Sequence, residues 1–353
     1  MSIKEIFSGN IHASGHVQGI VVDEERGFVY FSFTTKLLKT DMHGNLLGSA
    51  VNLAGHLGCI TFDKERNKIY GSLELKHDVI GKGIIKKIGY DPSSEDAFYL
   101  VSFDLDKIVR ENMDVEREGI MQAVCLNEVI DDYKSDDEVS GKAHRYGCSG
   151  IDGTALGRVF GDDSGIKKIM VAYGIYSECD RTDNDNQVIL QFDRNIFDIY
   201  GKPLNQAQPH KSGPERAEER YFLYTGNTSF GVQNLEYDEY SDSYFVAVYP
   251  GKKAEYENFE LFVIDGSIAP RSEAVIGRGG ERGKTLTLKK AGKQDSKHPE
   301  IYGSHFPHGS TGIASMGDGR FYISIPGNDG EAHTSLVKLY SLDMTSEQIF
   351  KEI

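Results

Sequence analysis

The sequence has 353 residues, 39% of them hydrophobic and 26% charged, which is typical of a soluble globular protein with a large core. A formal net charge of −15 argues against nonspecific binding to nucleic acid or to an anionic membrane, because both surfaces attract basic patches. No segment approaches the roughly 18 uninterrupted apolar residues that cross a bilayer, and residues 1–16 contain no apolar stretch of signal-peptide length. We therefore expect a cytoplasmic protein with neither a nucleic-acid nor a membrane partner.

One pattern recurs five times along the chain and predicts five similar units. The units begin near residues 15, 55, 146, 230 and 308, and each has an aliphatic anchor, at Ile20, Ile60, Ile151, Leu235 and Ile313. An aromatic residue follows nine or ten positions later in four units, at Tyr30, Tyr70, Tyr244 and Tyr322. In the third unit the matching residue is Tyr173, with Phe160 as the alternative. So constant a gap indicates a short β-hairpin of fixed register.

A third strand that ends in aspartate completes each unit. The aspartates are Asp41, Asp104, Asp193, Asp265 and Asp343. Fourth strands are less regular, and GNLLGSAVNL after Asp41 and RYFLYTGN before Phe230 are the best candidates. The only helix we expect is a short one over 105–117, where Gly and Pro are absent.

Four-stranded units of this kind bury both of their faces only when they pack radially against one another. The repeats resemble the β-propeller class, and the resemblance covers essentially the whole chain. It implies an all-β, five-bladed propeller of four-stranded antiparallel blades in a single domain, 1–353. The segments IKEIF and EQIFKEI both read as strands, and we expect them to close the ring in the last blade. Five-bladed propellers include arabinanase-like glycosidases, calcium-dependent nucleotidases and sugar-binding lectins, so the fold does not decide the function.

Polar residues at the start of the innermost strands are expected to converge on one face, where a funnel forms. The two long insertions, after Leu73 and after Tyr176, fall on that face, and long loops on a rigid scaffold often cover a ligand. The predicted ligand-binding residues are Gln18, Tyr146, Arg181, Gln233, Asn234 and Thr311.

Three histidines stand at the mouths of the inner strands, namely His16, His56 and His308. Neutral imidazole is a common ligand of divalent transition metals, so this trio is a candidate metal site. The alternative is that each histidine caps a strand by bonding to a backbone carbonyl. The register of His308 is displaced by one residue from that of the other two.

Glu74 and Asp152 are the candidate catalytic residues. Two carboxyl groups with separated pKa values can perform acid–base hydrolysis of a glycoside. The alternative is that both line a wet channel and are hydrogen-bonded there.

Two further segments resemble binding motifs, but ordinary structural explanations fit them better. The run DRTDNDNQ from Asp180 offers oxygen ligands at alternating positions but lacks the pattern of an EF-hand, and Asp and Asn are common in turns. In this run Arg181 could contact an anion. The run GRGGERGKT from Gly277 misses the register of a phosphate-binding loop by one residue, so we expect a flexible loop between blades.

Four cysteines, Cys59, Cys125, Cys148 and Cys179, have neither the spacing of a zinc site nor the density of a disulfide framework. We expect reduced thiols that are mostly buried.

Together these patterns predict a small-molecule site in the funnel on one face of the propeller, which takes a small polar ligand and one divalent metal ion if the histidines meet. A hydrolase acting on a sugar or an ester is one interpretation. A non-catalytic propeller that binds a ligand or a protein is the other.

Overall fold

A computed structural model describes residues 3–12, 15–89 and 95–353. Two short strands come first, β1 (Glu5–Phe7) and β2 (Ile11–His12). The first blade then contains β3 (Val17–Asp23), β4 (Phe28–Phe33), β5 (Lys36–Asp41) and β6 (Leu46–Val51). After it come β7 (His56–Asp63), β8 (Lys68–Leu75), α1 (Val79–Ile88), β9 (Ala97–Asp104), β10 (Met113–Asp114) and β11 (Met121–Cys125). The second blade has the order β11-β9-β8-β7, whereas β10 joins the outer edge of the first blade in parallel with β6.

The third blade follows α2 (Asn127–Lys134) and has six strands. Its elements begin with β12 (Cys148–Arg158), β13 (Lys167–Ile175), β14 (Asn186–Phe192), α3 (Ile196–Tyr200) and β15 (Glu219–Tyr224). The fourth blade contains β16 (Thr228–Asp238), β17 (Ser243–Pro250) and β18 (Leu261–Asp265). The hairpin of β19 (Arg271–Ala274) and β20 (Arg282–Thr285) then returns to the third blade, where β20 pairs in parallel with β15.

The fifth blade follows a small hairpin formed by β21 (Lys293–Gln294) and β22 (Tyr302–Gly303). Its strands are β23 (Ile313–Ser315), β24 (Arg320–Asn328), β25 (Ala332–Leu342) and β26 (Phe350–Glu352). The protein is therefore a five-bladed β-propeller, as the repeats predict. The number of strands in a blade varies more than predicted, from three in the fourth blade to six in the third and fifth.

The predicted hairpins explain how the blades pack. All five anchors are buried, with between 1% and 2% of their surface exposed, and they lie on the innermost strands β3, β7, β12, β16 and β23. Tyr173 lies on β13 directly opposite Ile151 and is fully buried, whereas Phe160 lies in the turn before that strand. In the other four units the residue opposite the anchor is not the predicted tyrosine but Phe31, Gly71, Val246 or Ile323, so the equivalence of Tyr173 to those tyrosines stays a prediction.

Four of the five aspartates at the ends of the third strands form turns, and the exception is Asp104, whose carboxylate lies 3.5 Å from the Lys107 ammonium. The side chain of Asp41 accepts from the backbone N–H groups of His43 and Asn45, at 2.8 and 2.9 Å. Asp193, Asp265 and Asp343 likewise each accept from the N–H two residues further on. An aspartate that bonds its own backbone in this way fixes the exit from the strand, which explains its recurrence.

The ring is closed by residues from both ends of the sequence, as predicted. Three strands pair with β25 along one edge. β26 pairs with residues 340–342 of β25, β1 with residues 336–338, and β2 with residues 332–333. Backbone hydrogen bonds continue across the junction, because Leu339 accepts from the N–H of Ile353 at 3.1 Å and donates its own N–H to Lys4 at 3.0 Å.

The predicted helix over 105–117 is wrong. That segment contains a single 3-10 turn at Leu105–Lys107 and the short strand β10. Helix α1 lies instead in the insertion after Leu73, of which residues 90–94 lie outside the described part of the chain. Its signals are local: the side chain of Asp78 accepts from the N–H of Gly81 at 2.8 Å, and Gly89 ends the helix with a φ of 84°.

The inner strands approach so closely that the middle of the propeller axis is filled by protein. A Cβ atom on Gly19 would lie 2.9 Å from the backbone nitrogen of Ile60, and one on Gly312 would lie 3.0 Å from the side chain of Ile20. The side chain of Asn234 spans this region and donates to the carbonyl groups of Gln18 and Ser310, at 2.8 and 3.0 Å. Openings are therefore confined to the two ends of the axis.

All four cysteines are free, and three of them are buried while Cys179 is exposed, which confirms that prediction. Among the described residues, no helix has the length and apolar character needed to cross a membrane.

Ring closure can be tested at Phe350, which lies on β26 with 4% of its surface exposed and packs against Phe245, Phe306 and Phe321. We expect F350A to lower the free energy of unfolding by about 3 kcal/mol, because it leaves a cavity among these rings. Phe7, on the other strand that closes the ring, is 48% exposed, so F7A should change stability by less than about 0.5 kcal/mol. Urea denaturation measures both, and equal effects would contradict this account of the closure.

Candidate functional site

A depression of about 220 Å³ lies where the inner strands begin, at the predicted face. Residues from four blades line it: His16, Gln18, His56, Glu74, Lys76, Ile80, Ser149, Ile151, Asp152, Gly174, Phe230, Gln233 and Tyr249. Six of the residues singled out in the sequence, namely His16, Gln18, His56, Glu74, Asp152 and Gln233, therefore meet here. A concave site that combines apolar walls with a few polar groups is the usual form of a small-molecule site.

The base of the depression contains a buried ion pair between Glu74 and Lys76. The Lys76 ammonium is 2.8 Å from the Glu74 carboxylate and donates to the carbonyl oxygen of Ser149 at 2.7 Å. A carboxylate oxygen of Asp78 lies 3.5 Å from the same ammonium. Burial alone would lower the pKa of Lys76, but Glu74 and Asp78 outweigh it and hold that pKa above its ordinary value. Lys76 is therefore a permanent cation.

Glu74 is held from two directions. Its second oxygen accepts from the backbone N–H of Ile151 at 2.6 Å. Burial raises the pKa of Glu74, whereas Lys76 and the N–H of Ile151 oppose that rise. A Cβ atom on Gly150 would lie 1.8 Å from this carboxylate, so glycine at that position is what gives Glu74 its room.

Asp152 differs from Glu74 because no cation is paired with it in the described structure. One carboxyl oxygen accepts from the N–H of Cys59 at 3.2 Å. Burial, and after it the negative charge of Glu74, raise the pKa of Asp152 well above its ordinary value. Two neighbouring carboxyl groups thus differ in their surroundings: Glu74 is the counterion of Lys76, whereas the protonated form of Asp152 is favoured by its burial.

The two histidines that line the depression are both neutral. Burial, then the positive charge of Lys76, lowers the pKa of His56 to about 3. Its Nδ1 is buried without a hydrogen-bond partner in the described structure and lies 3.8 Å from the Glu74 carboxylate. His16 keeps an exposed ring at the mouth, although partial desolvation by its surroundings still lowers its pKa. The Nε2 of His16 lies 3.1 Å from the side-chain amide of Gln18.

An apolar rim lies on one side of these polar groups. Phe230 is 44% exposed and stands edge-on to Tyr249, with the ring centroids 6.5 Å apart. Its φ of 64° is rare for a bulky residue, and it occurs where β16 bulges away from β17. Ile80, from the first turn of α1, is 38% exposed and also lines the depression. An exposed aromatic ring in a strained backbone is more common at binding sites than elsewhere.

Five of the predicted site residues lie outside this depression. Asn234 and Thr311 are buried behind it and bind backbone carbonyl groups. Tyr146 lies in a separate cluster, with the guanidinium groups of Arg278 and Arg220 centred 4.4 and 4.9 Å from its ring. The remaining two are His308 and Arg181.

The three histidines proposed as metal ligands do not meet. His308 is packed edge-on against Phe306, and its pKa is lowered by burial and by Lys338 of the fifth blade. Within residues 3–12, 15–89 and 95–353, no group of three or more His, Cys, Asp or Glu residues has the arrangement of a metal site.

The acidic run from Asp180 serves the protein itself. Arg181 is buried and donates to both oxygens of Asp183, at 2.9 and 2.7 Å, and also to two backbone carbonyl groups. Asp180 pairs with Lys142 at 2.6 Å, and Asp185 pairs with Lys253 at 2.5 Å. The glycine-rich run from Gly277 forms part of the turn of the β19–β20 hairpin and then strand β20 itself, which corrects the prediction of a flexible loop between blades.

The residues of the depression that the sequence analysis does not predict as site residues include Lys76, Tyr249 and Ile80. Lys76 could have been found, because strand alternation places it on the same side as Glu74. Tyr249 follows from the same alternation along YFVAVY. Ile80 could not have been placed without the position of α1 over the mouth.

No family model and no curated protein matches the sequence. Solved structures that align with it include a GH43 β-1,3-galactosidase with galactodeoxynojirimycin, at 11% identity and a TM-score of 0.42, over 96% of this chain and 94% of that chain. The α-L-arabinanase of Cellvibrio cellulosa complexed with arabinohexaose has 10% identity and a TM-score of 0.42, over 94% and 93%. The soluble aldose sugar dehydrogenase of Escherichia coli has 9% identity and a TM-score of 0.38, over 95% and 99%. These values describe a distant likeness in the arrangement of the chain.

The buried ion pair can be tested by removing its cation. We expect K76M to lower the free energy of unfolding by about 3 kcal/mol, since it leaves the buried Glu74 without its partner. The double variant K76M/E74Q should recover part of that loss. Lys82 on α1 is exposed, so K82M should stay within about 0.5 kcal/mol of the wild type. Urea denaturation at neutral pH measures all three, and a K76M loss no larger than that of K82M would contradict the pairing.

The state of Asp152 predicts a dependence of stability on pH. Because its folded pKa is raised, its contribution to stability is complete below the unfolded pKa of about 4 and is lost as pH rises through the folded pKa. D152N does not titrate at this position. Unfolding free energies measured in urea should therefore fall for the wild type relative to D152N as pH increases from 4. The exposed Asp163, in the β12–β13 turn, provides the control D163N, whose unfolding free energy should depend on pH as that of the wild type does. If D152N showed the same pH dependence as well, a raised pKa of Asp152 would be excluded.

Proposed function

We propose that the depression binds a small uncharged polyhydroxylated molecule, such as a sugar, and that the protein hydrolyses a glycosidic bond of that molecule. The observation that carries this proposal is the unlike setting of two carboxyl groups in a depression with an exposed aromatic rim: Glu74 is paired with Lys76, whereas Asp152 has no paired cation in the described structure and its pKa is raised by burial. Neighbouring carboxyl groups whose environments separate their pKa values supply the acid and the base of such reactions.

The character of the walls supports an uncharged ligand. Glu74 and Lys76 cancel each other, His16 and His56 are neutral, and the other polar lining groups include the side chains of Gln18, Gln233 and Ser149. Such groups exchange hydrogen bonds with hydroxyl groups without requiring a counterion. The exposed face of Phe230 suits the apolar face of a sugar ring.

In the proposed reaction Asp152 donates its proton to the oxygen of the leaving group as the bond from that oxygen to the anomeric carbon breaks. Water adds to that carbon, and Glu74 accepts the proton that the water loses. The Lys76 ammonium holds Glu74 in position and keeps it ionised. The role of Asp152 requires a protonated carboxyl group, and burial favours that form by raising its pKa.

One observation favours a second candidate function, the binding of the same ligand without chemistry. Both oxygens of Glu74 already have partners, Lys76 and the N–H of Ile151, and this lowers its basicity. In that case the two carboxyl groups only line the site.

Activity against a panel of 4-nitrophenyl glycosides tests the proposal. We expect turnover of at least one member, and D152N should lower kcat by about 100-fold or more, because it removes the general acid but keeps the shape. D163N, at the far end of the same hairpin, should leave kcat unchanged.

Binding of free monosaccharides, measured by calorimetry, separates the two candidates. F230A should weaken binding by about three- to tenfold, since it removes an aromatic contact, whereas D152N should leave it nearly unchanged. Binding without turnover would support a non-catalytic binding site and exclude a hydrolase. No binding of any sugar would exclude both.

A further inference from the structure

A second opening lies at the opposite end of the propeller axis. It has a volume of about 400 Å³ and is lined by the far halves of all five inner strands. Its lining includes Thr61, Phe62, Leu156, Glu236, Ala314 and Met316. This volume is within the range of small-molecule sites, which is about 300–1,000 Å³. The filled middle of the axis separates it from the depression that contains Asp152.

Among the residues that line this opening, Glu236 is the one carboxyl group that lies on an inner strand. It lies on β16 and is half-buried, and one of its oxygens accepts from the backbone N–H of Ser315 at 2.8 Å. Among the described residues, no Lys, Arg or His comes within 4.0 Å of it. Burial, and then the charge of Asp238, raise the pKa of Glu236 to about 8.

The other charges at this opening are already paired. Lys64 is 2.5 Å from Glu25, and Lys167 is 3.4 Å from Glu239. The glutamates of both pairs are exposed, so these pairs lie toward the rim. With these charges paired to each other, Glu236 is the acidic group of the opening that lacks a counterion among the described residues, and its raised pKa keeps it largely protonated at neutral pH until a cation binds.

We propose that this opening binds a small primary amine on a short aliphatic stem, with the ammonium group paired to Glu236 and the stem against the apolar wall. A partly desolvated carboxylate gains most from a ligand that brings both a positive charge and hydrogen-bond donors. Phe62, Leu156 and Met316 provide apolar surface beside it. The site is independent of the function proposed for the other face.

The test uses n-butylamine and 1-butanol, which have the same stem and differ in charge, with binding followed by NMR titration of the full chain. We expect the wild type to prefer the amine by about tenfold, as hydrogen bonds to charged groups contribute more than neutral ones. E236Q should abolish that preference, whereas E239Q, which changes an exposed carboxylate at the rim, should keep it. Equal binding of the two probes by the wild type, or an unchanged preference in E236Q, would overturn the proposal.

Methyl resonances of the wild type locate the probe even if E236Q fails to fold. Butylamine should shift the methyl signals of Leu156, Ala314 and Met316, and it should do so equally in D152N. Shifts confined to Ile80 and Ile151, at the other face, would also overturn the proposal.

Discussion

The close packing of the inner strands at the middle of the propeller axis is the constraint on which both ends of the molecule depend. Five inner strands meet so closely that glycine is required at Gly19 and Gly312, and Asn234 fills the space that remains. Polar groups just above and below this region lose much of their hydration but keep access to an opening. Their protonation states are therefore set by the few neighbours that the strands provide.

The same constraint produces different chemistry in Asp152, Glu74 and Glu236. Glu74 has a cation within 3 Å, and this pairing holds it as a carboxylate. Asp152 has a backbone donor, the N–H of Cys59, and no paired cation in the described structure, and burial together with the charge of Glu74 favours its neutral form. Glu236 lies between these cases, since it has a backbone donor and a pKa of about 8. The neighbouring side chains thus decide the role of each carboxyl group: Glu74 is a counterion, Asp152 favours its protonated form, and Glu236 has no cationic partner among the described residues.

The architecture could be predicted from sequence because it depends on local patterns. Anchors, aromatic residues and terminal aspartates repeat at nearly constant gaps, and each reflects a strand or turn that forms within a few residues. The long-range features could not be predicted this way. The β19–β20 hairpin joins the preceding blade, and α1 was overlooked although Asp78 and Gly89 mark its ends.

The candidate site was predictable in part for a similar reason. Residues at the mouths of inner strands converge by symmetry, and His16, His56 and Gln233 follow that rule. His308 does not, because its segment packs against Phe306 in the fifth blade. Tyr146 and Arg181 were chosen by residue type, and both are held by neighbours of opposite charge or by ring contacts. Long-range pairing of charges is not visible in a single sequence.

The outer edge of the fifth blade is formed by two segments from opposite ends of the sequence, which lie in line like a single strand. Residues 350–352 and 5–7 pair in line along β25, and the hydrogen bonds of Leu339 bridge the gap between them. A peptide linker between Ile353 and Ile3 would therefore follow the course that the sheet already sets. A chain joined there and opened in the exposed turn at 162–165 would retain every blade in a circularly permuted order. In such a permutant the fifth blade would be built from one continuous stretch of chain, and the third blade would become the seam.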